Sequence, residues 1–149
     1  MKFIFLFLIF ELIFSYEAED ALNYAKEWCQ GYNPRYNEYG LDESEEANFV
    51  SQSLFAGGES FSGCTGKDWW GMVYTYNNLM ACLKAKGWEQ SEERNSSFLP
   101  GYPLILKDER GIMIAKGFEG NQTFYYRHQD KNECTGHRPD SQLIFLYKK

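Results

Sequence analysis

The sequence predicts an α+β domain in which N-terminal helices pack on a C-terminal antiparallel sheet of about four strands. Three observations point there. Apolar residues recur at helical intervals as far as Gly87, the pattern changes beyond Pro100 to short β-branched and aromatic runs, and most of those runs are joined by connections too short for parallel crossovers.

The chain opens with MKFIFLFLIFELIFS, one Lys ahead of an apolar run interrupted only by Glu11. That run is too short to span a bilayer and has the form of a secretory signal, with cleavage expected after Ser15. Residues 16–149 then form one domain, and no stable membrane span is expected once the leader is removed. The first helix is expected within Glu17–Gln30, where Ala21, Leu22, Ala25, Trp28 and Cys29 share a face. GYNPRYNEYG follows as an irregular connection, because Pro34 and the glycines punctuate it.

A second helix is expected to start at Asp42 or Ser44, both good N-caps, and to stop at Gly57-Gly58. Its apolar stripe is Ala47, Val50 and Leu54. The acids Glu43, Glu45 and Glu46 complement the positive end of the helix dipole, and their spacing is not that of a calcium loop. Gly57 to Gly66 reads as a surface loop. Met72, Tyr76, Leu79, Met80 and Leu83 place a third helix ending near Gly87, and Glu89 to Ser97 reads as a link. The expected strands are YPLILK, GIMIAKG, TFYYRH and SQLIFLYKK, separated by DER, FEGNQ and a long polar loop.

Composition narrows the possible partners. A formal charge of −6 without a Lys/Arg stripe disfavours nucleic acid. The four cysteines, Cys29, Cys64, Cys82 and Cys134, match no paired C-x-x-C zinc spacing, and in a secreted chain an even count points to two disulfides of open connectivity. If both bridges form, no thiol is left as a nucleophile. Asn95-Ser96-Ser97 and Asn121-Gln122-Thr123 are glycosylation sequons, expected to face solvent. No cofactor and no metal site is expected.

The order YAKEWC (24–29), YNPRYNEYG (32–40), NFVSQSLFAGG (48–58) and DWW (68–70), followed by a helix with Leu79 and Leu83 and strands of the GIMIAKG type, resembles the putative amidase domain of secreted proteins. That domain is similar to the papain-like hydrolases that include the NlpC/P60 cell-wall enzymes, so the resemblance implies a papain-like fold. The family string Asp-Cys-Thr-Asn-Phe-Val-Ser-Gln carries a Cys nucleophile at a helix start, where the dipole favours thiolate. Here Glu45, Glu46 and Ala47 stand in place of Asp, Cys and Thr. The family's strand-opening His, a general base, falls on Gly111, and His128 matches a third polar residue that would orient that base.

The resemblance thus implies an amidase-like scaffold without its nucleophile and base, acting as a secreted binding module. Asn48, Trp69 and Trp70 are candidate ligand contacts, and a peptide, a peptidoglycan fragment or a protein is the candidate partner. Two other readings stand beside it. One is a secreted effector with a protein partner; the other is an active hydrolase using Glu46 and His128 as an acid/base pair on water. His137 lies in a polar loop, and Ser44 or Ser51 as nucleophile would need a base nearby.

Overall fold

A computed structural model describes residues 15–40, 43–129 and 132–148. The expected leader, residues 1–14, and the candidate cap Asp42 lie outside the described residues. Three helices precede the main sheet: α1 (Ala18–Trp28), α2 (Glu43–Ala56) and α3 (Tyr76–Ala85). Six strands follow: β1 (Trp88–Ser91), β2 (Pro103–Leu106), β3 (Ile112–Glu119), β4 (Gln122–His128), β5 (Asn132–Pro139) and β6 (Leu143–Lys148). They form one sheet in the order β1-β6-β2-β3-β4-β5, antiparallel at every pairing. The α+β class holds; the strand count is six rather than four.

Both added strands are edges. WEQS pairs with the end of β6 inside the stretch expected to be a link, and NECTGHRP pairs with β4 where a long polar loop was expected. Neither shows an alternating apolar pattern, because an edge strand can be held by ladder hydrogen bonds and neighbours rather than by a buried face of its own. β5 gains a covalent hold from Cys134, which is bonded to Cys29 at the end of α1; the second disulfide joins Cys64 to Cys82 on α3. The connectivity is therefore 29–134 and 64–82.

α2 is buried continuously from Glu45 to Leu54, so a single apolar stripe understates it. Its polar residues are held by hydrogen bonds: Ser51 Oγ donates to the Val73 carbonyl, Ser53 Oγ donates to the Phe49 carbonyl at 2.9 Å, and Gln52 Oε1 accepts from the Tyr24 hydroxyl. The helix stops at Gly57, where a Cβ would come within 2.5 Å of the Tyr16 ring. α3 begins four residues later than its stripe suggested. Met72 and Val73 are buried in a tight hairpin closed by the Lys67–Val73 bridge, and Thr75 caps the helix by accepting from Asn78 N–H.

The sheet has a core on each face. Phe49, Leu54, Leu79, Leu83, Ile112 and Ile114 pack between helices and sheet. On the opposite face Phe98 is driven into Leu104, Met113, Tyr125, Leu143 and Phe145, so the segment before β2 is a cover and not merely a tether. Burying one such Phe stabilises by about 1.5–3 kcal/mol. Asn95 and Asn121 are both exposed, the latter in the β3–β4 turn. Arg94 holds that corner together, donating from Nε to Asp140 and from Nη2 to the Gly120 carbonyl.

Candidate functional site

The start of α2, the start of β3 and the end of β4 converge. Glu46 Oε1 accepts from Ile112 N–H at 2.7 Å and from Arg127 Nε at 3.1 Å. A Cβ built on Gly111 would lie 3.1 Å from that same carboxylate oxygen, so positions 46 and 111 adjoin. The room between them is filled. The same Cβ would sit 2.8 Å from Arg127 Nη2 and 2.9 Å from Leu106 Cδ1, so the guanidinium occupies space a side chain at 111 would need.

Arg127 is the site residue that sequence reasoning missed. Its signal was a charge inside the aromatic run TFYYRH, which a buried strand tolerates only if the charge is paired. The β4–β5 register shifts between Tyr125 and Arg127, a bulge-like irregularity of the kind that re-aims side chains. As a result, two successive residues both reach the first turn of α2: Arg127 meets Glu46 and His128 meets Glu45.

His128 is committed on both ring nitrogens. Nδ1 lies 3.0 Å from Glu45 Oε1, and Nε2 donates to the Trp28 carbonyl at 2.8 Å. Its ring stacks on Phe49 with centroids 3.9 Å apart. Glu45 Oε2 in turn accepts from Tyr39 N–H at 2.9 Å and from Asn48 Nδ2 at 3.3 Å. The imidazole thus joins the end of α1, the start of α2 and the end of β4, with neither nitrogen turned toward Glu46. An acid/base pair of Glu46 and His128 acting on water finds no geometry here, since both residues are 1% exposed and bonded elsewhere.

Asn48 is fully buried. Its Nδ2 donates to the Asn37 carbonyl and to Glu45, while Oδ1 has no hydrogen-bond partner among the described residues. The tryptophans behave in the opposite way. Trp69 is 91% exposed and Trp70 51%, at the tip of a turn organised by Asp68, whose carboxylate accepts from Trp70 N–H, Met72 N–H and the Tyr39 hydroxyl. Trp70 Nε1 is fixed by Asn37 Oδ1 at 3.1 Å. Beside this turn lies a groove of about 460 Å³ lined by Phe55, Phe61, Trp70 and Met72 with Lys67 and Ser60. His137 is on β5 beside Phe124, remote in the sheet from the start of α2. Ser51 is buried against the Val73 carbonyl.

A second opening of about 490 Å³ lies between α3 and the β2–β3 turn, lined by Tyr76, Met80, Lys107, Asp108, Glu109 and Arg110 among others. Burial raises the Tyr76 phenol above its ordinary value; the Arg110 charge opposes that rise and the Glu46 charge adds to it. All four cysteines are in disulfides, so no thiol is available. Among the described residues no cluster of three His, Cys, Asp or Glu is placed to hold a metal ion, and no helix is long and apolar enough to cross a membrane.

Compared with known proteins, residues 15–99 match the sequence model of a family described as "putative amidase domain". The matched segment contains Glu46, Trp69 and Trp70, whereas Gly111, Arg127 and His128 lie beyond it. No curated protein and no solved structure matches the chain.

Proposed function

Starting from a chain that belongs to the putative amidase domain family, we propose that it is a secreted binding module on an amidase-like, papain-type scaffold that does not cleave amides. The observation that carries this reading is the buried pairing of Glu46 with Arg127 beside Gly111. In the family register the first position holds a sulfur nucleophile and Gly111 stands at the base. A carboxylate bonded to Arg127 Nε and to a backbone N–H is a poor nucleophile, and glycine moves no proton. The guanidinium excludes both water and a reacting carbonyl from the place where chemistry would occur.

Ligand contact is assigned to the aromatic turn. A tryptophan left almost wholly in water costs apolar hydration, and here a locked turn holds it out. Amphipathic aromatic faces of this kind suit peptide and sugar ligands, with Asn37, Ser60 and Lys67 as a polar rim. The leader-like N-terminus and the two disulfides support an extracellular setting.

The test is incubation of the purified protein with peptidoglycan fragments and peptide amides. No time-dependent release is expected. Release that disappears in Glu46→Gln and Arg127→Lys variants, with the fold intact, overturns the reading.

A further inference from the structure

Arg127 has one donor group left over. The residue is 4% exposed and its Nε serves Glu46, yet Nη2 has no hydrogen-bond partner among the described residues. A guanidinium presents its donors as a rigid fork, and an unused donor buried against protein is costly. Glu109 Oε2 lies 4.0 Å from Nη2, beyond hydrogen-bonding distance and on a side chain 64% exposed. Glu109 is also part of the wall of the 490 Å³ opening between α3 and the β2–β3 turn, where Lys107 and Arg110 add two cations and Tyr76 a phenol. A buried, under-used guanidinium therefore lies behind an exposed carboxylate at the wall of a cation-bearing cavity. A contact at that distance, with one partner 64% exposed, is weak and easily exchanged.

We propose that this opening is a carboxylate-binding site, in which a ligand carboxylate displaces Glu109 from Arg127 Nη2 and is flanked by Arg110 and Lys107. The ligand class is a small molecule with a free carboxylate, either the C-terminus of a short peptide or an acidic sugar. The proposal rests on the binding-module reading and adds to the aromatic turn a second recognition site, which shares no lining residue with the groove beside that turn: the guanidinium beside Gly111 becomes a recognition group. Charge-assisted hydrogen bonds are the strong ones, and Arg is the side chain best shaped to give them to a carboxylate. Asp108 and Glu109 set the cost of entry, so affinity depends on moving Glu109 aside.

The experiment follows backbone amide NMR shifts in the full protein while it is titrated with acetyl-Ala-Ala, with the same dipeptide as its C-terminal amide, and with glucuronate. The free carboxylates are expected to shift the Gly111 and Ile112 amides, with the dipeptide amide binding about tenfold more weakly. A stronger response to acetyl-Ala-Ala assigns a peptide source, and a stronger response to glucuronate a sugar source. Glu109→Gln is expected to tighten binding several-fold, Arg110→Ala to weaken it, and Arg127→Lys, which keeps a buried cation but removes Nη2, to weaken it most. Should Arg127→Lys not fold, the two exposed variants still decide the matter. Shifts that are absent, equal for acid and amide, or indifferent to Glu109→Gln and Arg110→Ala overturn the site. Failure of the non-catalytic reading looks different: free alanine accumulates in the same spectra over time.

Discussion

Arg127 Nε donates to Glu46 Oε1 at 3.1 Å, with the side chains 5% and 1% exposed respectively. This contact ties the penultimate residue of β4 to the first turn of α2. Buried pairs of this kind are weak as net stabilisers but severe when broken, because the remaining charge has no water around it.

Truncating one partner is therefore expected to cost far more than replacing both. Glu46→Ala or Arg127→Ala should lose about 3–5 kcal/mol of unfolding free energy, while the double change Glu46→Leu with Arg127→Met should recover most of that loss. Gly111→Ala should cost about 1–3 kcal/mol, since its methyl meets Arg127 and Leu106 at under 3 Å. Urea denaturation with a common m-value checks all four variants; additive losses in the double variant would show that the two side chains are not coupled.

The two disulfides should not be equivalent. Cys29–Cys134 closes a separation of 105 residues and Cys64–Cys82 one of 18. On the chain-entropy account, removing the first by paired Ala substitution costs about 4.7 kcal/mol and removing the second about 3 kcal/mol. The comparison is read from urea midpoints under non-reducing conditions, and the reverse order would refute the entropic assignment.

Alkaline pH should unfold the protein through its buried phenols. Burial raises the Tyr16 hydroxyl well above its ordinary value, with Tyr102 and Glu59 adding to the effect, and the hydroxyl donates to the Gly101 carbonyl at 2.7 Å. The folded pKa is higher than the unfolded one, so the associated stability is complete below about pH 10 and is lost as pH rises toward the folded value. Tyr16→Phe should flatten the fall in melting temperature above about pH 10 and leave the neutral range without a pH-dependent change from this group.

Trp69 should separate binding from folding. At 91% exposure its replacement by Ala is expected to change stability by no more than about 0.5 kcal/mol. Ligand capture by the aromatic turn should fall in the same variant. Loss of fold on Trp69→Ala would mean the indole is structural after all.

Much of this architecture was legible. The stops at Gly57-Gly58 and Gly87 are where α2 and α3 end, and the runs around Leu104, Ile112, Tyr125 and Phe145 are strands because each buries apolar side chains against a core. β1 and β5 were hidden because WEQS and NECTGHRP lack a buried alternating pattern; their order comes from a neighbour's ladder and, for β5, from a disulfide. Glu46 and Gly111, both singled out in the sequence, lie side by side. What fills the space between them was not legible, because a bulge turned Arg127 inward and strand periodicity alone does not foresee a bulge. His128 was singled out, but its partner is Glu45, one residue from the position the register emphasised.

The guanidinium lodged beside Gly111 also acts as a one-way latch in sequence space. Writing a cysteine at 46 strands a buried cation, and writing a histidine at 111 collides with that cation. Each of these single changes therefore passes through a less stable protein, and only a coordinated change at 46, 111 and 127 crosses without that loss.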